Sequence, residues 1–320
     1  MRSASSATGT IATAKPPYVG RFAPSPTGPL HFGSLLAAAA SYLQAHASNG
    51  RWLVRVEDID PPREEPGATE AILAALERYG FEWDGATIYQ SGSAGAHEAA
   101  LSRLLEAAQA YPCGCSRRDL ANVPQGPLGT IYQGTCRDGC SSSDAAIRVR
   151  TTDVPIVFTD GLQGPQQQRL ESESGDFIIW RRDGLVAYHL AVVVDDFEQG
   201  VTEIVRGVDL LDSTPRQLWL QDSLNYPRPA YLHIPVATHP DGQKLSKLTG
   251  AAAVSLEDPK GTLMLALGAL GQQPPGELRD ASIAEIWAWA IEHWRVEVLV
   301  DRAQIVVDSN AIANGENGLL

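Results

Sequence analysis

No apolar run in this 320-residue chain is long enough to span a membrane or to form the hydrophobic stretch of a secretion signal, so the expected location is cytoplasmic. Positive charge is scarce. Against 38 acids stand 25 lysines and arginines, a net charge of −13 that excludes indiscriminate binding to nucleic acid. Any polynucleotide contact has to use a local basic face. Cysteine is scarcer still: Cys113, Cys115, Cys136 and Cys140 fall in one stretch and nowhere else. In a chain without a secretion signal this clustering favours a metal site over a disulfide framework. Internal repeats are lacking, and low complexity is confined to residues 1–16, expected to be a disordered tail.

Apolar residues make up 44% of the chain, enough for a sizeable core in one large domain or two ordinary ones. "YVGRFAP" (18–24) and "RWLVRVED" (51–58) read as strands, while "HFGSLLAAAASYLQAHA", "GATEAILAALERYGF" and "AGAHEAALSRLLEAAQAY" read as helices. This βαβα alternation predicts a parallel sheet. From 108 to 187 the texture changes to cysteines, glycines and short strands such as "AAIRVRT" and "DFIIWRR", which marks an insertion. Beyond it, "GLVAYHLAVVVDD" (184–196) reads as a long buried strand and "STPRQLWLQDSLN" as a helix capped by Ser213 with Pro215 in its first turn. "YLHIPVAT" is a further strand, residues 251–300 are helical, and 301–320 look like a tail.

The stretch "RFAPSPTGPLHFGSL" (21–35) joins a strand to a helix through a Pro/Gly loop. Such a junction aims backbone N–H groups and the positive end of the helix dipole at one spot, suited to phosphate. "GQKLSK" (242–247) supplies Lys244 and Lys247, two cations for a triphosphate at the far end of the same α/β region. Cys113 and Cys115, followed by Cys136, have the reach for tetrahedral zinc, and Cys140 completes a four-thiolate set.

Together, "HFGS" and "KLSKL" resemble the paired signature motifs of class I aminoacyl-tRNA synthetases. The resemblance extends through "LVRVEDIDPPRE" and "AYHLAVVVDDFEQGVTEIVRGVDLLDSTPRQ" in the order seen in glutamyl-tRNA synthetases and their shortened relatives that act on queuosine in tRNA(Asp). It covers about residues 18–250. It implies a glutamate-activating ligase with a Rossmann-type catalytic domain at 17–250, a zinc-bearing insertion, and a short helical part after it.

The resemblance places ATP, with Mg2+, against His31, Phe32, Gly33, Lys244, Ser246 and Lys247, with His31, Lys244 and Lys247 as catalytic groups stabilising the α-phosphate and departing pyrophosphate. The substrate carboxylate is the nucleophile. For L-glutamate it implies Arg21 and Arg206 as carboxylate partners, Glu57 as ammonium acceptor and Tyr188 as hydroxyl donor, with Ala23 and Ser25 in the same loop. The plain alternative is that Arg21 and Glu57 pair with each other. Asp195 and Asp196 either line the ATP side or cap the next turn. Ser34 replaces a histidine in the first motif. For the metal, the resemblance implies one structural zinc on Cys113, Cys115, Tyr132 and Cys136, leaving Cys140 as competitor for Tyr132.

Only residues 248–320 follow Lys247, too few for the anticodon-binding region of the longer enzymes, and Leu248-Thr249 stands where a basic pair is usual. The expected acceptor is therefore the anticodon stem-loop of tRNA(Asp) carrying queuosine, its phosphates met by Arg117, Arg118, Arg181 and Arg182. Charging a tRNA 3′ end and a non-enzymatic zinc module for RNA are the two competing expectations.

Overall fold

The computed structural model describes residues 17–126, 128–245 and 252–307. The first half-sheet follows the expected alternation: β1 (Val19–Phe22), α1 (Phe32–Ala47), β2 (Arg51–Val56), α2 (Ala68–Arg78) and β3 (Ile88–Tyr89). β2 lies between β1 and β3, and both pairings are parallel. Gly80, at φ +72, ends α2 in the left-handed conformation and lets Phe81 N–H return to the Leu76 carbonyl at 3.0 Å. A Cβ there would sit 2.4 Å from Ile283 Cγ2, so glycine also admits the C-terminal helix.

After α3 (Ala94–Glu106) come β4 (Ala110–Cys113), the small pair β5 (Gln125–Gly126) and β6 (Gly129–Thr130), β7 (Ala146–Val149), the hairpin β8 (Ile156–Asp160) and β9 (Gly164–Gln168), the short α4 (Leu170–Glu173) and β10 (Ile178–Trp180). β7 pairs with both β4 and β10, antiparallel in each case. The chain then forms α5 (Tyr188–Glu198), β11 (Glu203–Gly207), α6 (Thr214–Leu224), β12 (Ala230–Ile234) and β13 (Val236–Thr238). β11 pairs in parallel with β12, and Thr202 N–H donates to the Val19 carbonyl at 2.9 Å, setting β11 beside β1. The last elements are α7 (Pro259–Ala269), α8 (Ile283–Glu292) and β14 (Gln304–Val306).

Three local expectations need correction. "AYHLAVVVDD" is the helix α5, not a strand: residues 190–196 are buried all round, and a helix enclosed on every side carries the same unbroken apolar run as a central strand. Ser213 precedes α6 as expected but makes no side-chain cap, because the 3-10 turn Val208–Ser213 leads straight into the helix. Residues 304–306, expected within a tail, pair in parallel with β13. Residues 1–16 and 308–320 lie outside the described residues.

The small side chains of α1 allow it to pack on several sides at once. Ala38, Ala39, Ala40 and Ala45 are all buried between the sheet and the helices α7 and α8. Tyr42, Phe81 and Trp287 close that core, with ring centroids 4.7–5.3 Å apart. The result fixes the N-terminus of α1 rigidly at the carboxyl edge of β1. Among the described residues, no helix is long and apolar enough to cross a membrane.

Candidate active site

The loop from Ala23 to Leu30 leads from β1 into α1, whose first turn faces a cleft of about 370 Å³ lined by Ala23, Ser25, His31, Gly33, Asp209 and Lys244. His31 is the N-cap: its Nδ1 accepts from Ser34 N–H at 3.2 Å, and its Nε2 shares a hydrogen bond with the Ser34 hydroxyl at 2.9 Å. The serine that replaces a motif histidine thus braces the other histidine. A Cβ on Gly33 would come within 3.3 Å of the Leu245 carbonyl oxygen, so glycine is what lets the lysine segment approach the helix. That segment is anchored by Leu245 N–H on the Ala237 carbonyl at 2.8 Å. Lys244 bonds Asp209 at 2.6 Å, an acid the sequence reading missed. Phe32, grouped with the ATP residues, turns its ring into the core and is 2% exposed. Ser246 and Lys247 lie outside the described residues.

A second cleft, of about 270 Å³, shares Ser25 and Thr27 with the first and is lined further by Glu57, Gln90, Arg181 and Tyr188. Beneath it runs a buried charge network. Arg55 bonds Asp196 at 2.7 Å and Glu57 at 3.2 Å, while Arg21 bonds Asp196 through two contacts at 3.0 and 3.2 Å. Asp195 is held by Gln90 at 2.6 Å and His97 at 2.9 Å. Arg21 and Glu57 therefore do not pair with each other; each is tied into the network by a different partner. Asp195 and Asp196 neither cap a turn nor line the nucleotide cleft, but serve as counter-charges on the inner face of α5. Burial opposes ionisation of Asp196, yet Arg21 and Arg55 hold its carboxyl below the usual range, whereas burial wins at Glu57 and pushes it up. A substrate ammonium beside Glu57 would favour its carboxylate. The one signal for Arg55 in the sequence was a charge inside the apolar run "RWLVRV".

Arg206 ends β11 opposite His233 of β12. Its Nε donates to His233 Nε2 at 2.9 Å and its Nη2 to Thr214 Oγ1 at 2.8 Å, while Nη1 is buried with no hydrogen-bond partner among the described residues. The Tyr188 phenol, raised in pKa by burial, feels the charges of Arg206, Glu57 and Arg21. Four of the residues expected to bind glutamate thus converge on one place.

The structure also brings together the sulfurs of Cys113, Cys115 and Cys136, all within 4.8 Å of one another. The Cys115–Cys136 separation is 3.6 Å, and the Tyr132 hydroxyl lies 3.3 Å from Cys113 and 3.6 Å from Cys115. Zinc–sulfur bonds of about 2.3 Å at tetrahedral angles give edges of about 3.8 Å, so these four atoms fit the ion. Cys140 is not within reach of all three sulfurs. Arg148 Nε donates to Cys113 Sγ at 3.3 Å and its guanidinium lies 3.9 Å over the Tyr132 ring, placing a cation against the thiolate side. Burial pushes the Cys115 thiol up to about 11, whereas Cys136, despite its burial, is drawn down to about 7 by the Tyr132 hydroxyl and the Gly114 backbone.

A parallel sheet with a nucleotide-sized cleft at a capped helix N-terminus, a lysine in the lining of that cleft, and a buried arginine and carboxylate network beside it is the architecture of a class I tRNA synthetase catalytic domain. Residues 18–277 match the family described as tRNA synthetases class I (E and Q), catalytic domain. The chain belongs to this family, and is a ligase of the aminoacyl-tRNA synthetase type. Its relatives within the family include the glutamyl-Q tRNA(Asp) synthetase of Pseudomonas fluorescens, 55% identical over 87% of this chain and 92% of its own length. The protein of the same name from Pseudomonas aeruginosa is 56% identical over 87% of this chain and 93% of its own. In fold the chain is similar to a glutamate-tRNA synthetase from Elizabethkingia anophelis, with a TM-score of 0.76, 23% identity, and coverage of 90% of this chain and 68% of that one.

Proposed function

We propose that this ligase activates L-glutamate with ATP and Mg2+, without requiring tRNA, and transfers it as an ester to a ring hydroxyl of queuosine in the anticodon stem-loop of tRNA(Asp). The observation that carries the activation step is the convergence of Arg21, Glu57, Tyr188 and Arg206 next to the cleft at the N-terminus of α1. Two guanidinium groups suit the two carboxylates of glutamate and one carboxylate suits its ammonium. Queuosine as acceptor is supported by the relatives' name, at 55–56% identity. For the RNA, Arg117, Arg181 and Arg182 line a cleft of about 420 Å³ beside the cysteine cluster, and Arg181 reaches the second cleft as well, so basic side chains follow the path to the pocket on an acidic protein.

Glutamate-dependent exchange of pyrophosphate into ATP is expected with no tRNA present. Aspartate and glutamine should be poor substrates, because a site built for paired arginine–carboxylate contacts leaves its arginines unsatisfied by an amide or a shorter acid. Exchange that requires tRNA, or that accepts glutamine equally, contradicts this.

The zinc is structural in this proposal, since four protein ligands leave no position for substrate. We expect about one zinc per chain, by the stoichiometry of a single four-ligand site. Cys136→Ser should release it. Tyr132→Phe should also weaken retention, whereas Cys140→Ser should not. Metal analysis of protein purified without chelator checks all three, and a zinc content of zero in the unaltered protein removes the site.

A further inference from the structure

We propose that Asp160 and His233 form a hydrogen-bonded relay that fixes the tautomer of His233 and so holds Arg206 in place for a carboxylate of glutamate, which makes both of them positioning residues for amino-acid binding. The relay rests on the reading that glutamate is the substrate and that Arg206 is one of its carboxylate partners.

The geometry leaves little freedom. Asp160, at the end of β8, uses Oδ1 to accept three backbone N–H groups, those of Leu162 at 3.0 Å, Gln163 at 2.9 Å and His233 at 3.2 Å. Its Oδ2 faces His233 Nδ1 at 2.6 Å. On the far side of the ring, Nε2 meets Arg206 Nε at 2.9 Å. Arginine has only donors, so Nε2 carries no proton, and the ring's one proton sits on Nδ1, directed at the carboxylate. All three side chains are buried, at 1%, 0% and 5% exposure for Asp160, His233 and Arg206. Arg206 Nη2 is held by Thr214 Oγ1 at 2.8 Å and by the Leu210 carbonyl at 3.3 Å. Two guanidinium nitrogens are thus fixed by the protein and the third, Nη1, is left buried and unpartnered among the described residues. A buried charged donor in that state calls for an acceptor from outside.

The groups facing His233 are Asp160 from β8, Arg206 from β11, Asp209 from the turn after β11, Thr214 from α6, whose hydroxyl lies 3.3 Å from Nε2, and Tyr231 of its own strand, whose ring stacks at 6.0 Å. Burial pushes the His233 pKa below its ordinary 6.5, Arg206 adds to that, and Asp160 and Asp209 oppose it. The ring is therefore neutral at neutral pH. As pH falls through its lowered pKa, a proton arrives on Nε2, the Arg206 acceptor is lost, and two cationic donors face each other. The affinity for glutamate should fall on the acid side.

Asp160→Asn isolates the tautomer. The three backbone donors keep the amide oxygen where Oδ1 was, which sets the amide NH2 against His233 Nδ1. The ring then has to move its proton to Nε2, where it confronts Arg206. Measured by ATP–pyrophosphate exchange on the full chain, the KM for glutamate should rise about 10- to 100-fold, the scale of an unsatisfied buried charged donor, while the KM for ATP stays near that of the unaltered protein. His233→Gln keeps an acceptor near Nε2 with no proton to relocate. In that background the acid-side rise in glutamate KM should shrink to the limb that protonation of Glu57 alone produces, and adding Asp160→Asn should raise KM by less than about threefold. Should the asparagine variant fail to fold, the pH profile of His233→Gln against the unaltered protein decides alone. Exchange with a glutamate KM unmoved by Asp160→Asn, or an acid limb in His233→Gln that matches that of the unaltered protein, overturns the relay and leaves the substrate reading standing. An unaltered protein with no glutamate-dependent exchange overturns the substrate reading, and the relay falls with it.

Discussion

Arg55→Met should lower the stability of the folded protein by about 3–5 kcal/mol, the cost of leaving buried charges without their partner. The guanidinium is fully buried and is bonded to Asp196 at 2.7 Å, Glu57 at 3.2 Å and Gln199 at 2.8 Å, with Asp195 at 4.0 Å. Burial opposes its charge, yet the three carboxylates hold its pKa above the ordinary value. Methionine fills the space of the stem and supplies none of the charge, so Asp195, Asp196 and Glu57 remain in the interior, Asp196 with Arg21 and Asp195 with Gln90 and His97. The pH dependence has a definite sign. In the variant the folded-state pKa values of Asp196 and Glu57 move above their unfolded values, and stability from such groups is present below the unfolded pKa and lost as pH rises. The deficit should therefore be larger at pH 8 than at pH 5. Urea unfolding of both proteins at the two pH values tests this, and equal midpoints at pH 8 would contradict it.

Arg206→Leu should reduce kcat/KM for glutamate in pyrophosphate exchange by about 100- to 1,000-fold, the cost of truncating one partner of a buried charge pair. Leucine preserves much of the apolar stem beside Tyr231, whose ring lies 5.4 Å from the guanidinium carbon. Lysine should not restore the loss. A point charge cannot bond His233 Nε2, Thr214 Oγ1 and a ligand oxygen at once, as the guanidinium fork is arranged to do. The KM for ATP should change little in either variant. A drop of less than about threefold would remove Arg206 from amino-acid binding, given that a single hydrogen bond to a charged group contributes more than that.

Both predictions turn on residues whose partners were only partly legible in the sequence. The alternation of strand and helix through residue 111 could be read because prolines close the short buried strands β1 and β2 and because α2 and α3 keep exposed faces that leave a polar signature. α5 could not, since its apolar run is enclosed on all sides and carries no such signature. The same burial hid the charge network. Arg21 and Glu57 stand out at strand ends, and their mutual pairing was a reasonable expectation from proximity in the sheet. The partner that separates them, Arg55, bonds Glu57 two residues on, but its other acids, Asp195 and Asp196, come from α5, more than a hundred positions along the chain. Asp160 and His233 lie in two elements 73 positions apart, and neither belongs to a motif that drew attention. The cysteine cluster was legible by spacing alone, whereas the approach of the Tyr132 hydroxyl to 3.3 and 3.6 Å from two of its sulfurs is a product of the fold that spacing does not show.

The central claim is that the activated glutamate goes to queuosine, and one measurement addresses it directly. Labelled glutamate and ATP are incubated with the protein and tRNA(Asp) prepared in two forms, identical except that one carries queuosine and the other does not, with unmodified tRNA(Glu) alongside. The account predicts label on the queuosine-bearing tRNA(Asp) alone, located in the anticodon stem-loop after nuclease digestion. Equal labelling of both forms of tRNA(Asp), or efficient charging of tRNA(Glu) at its 3′ end, would contradict it.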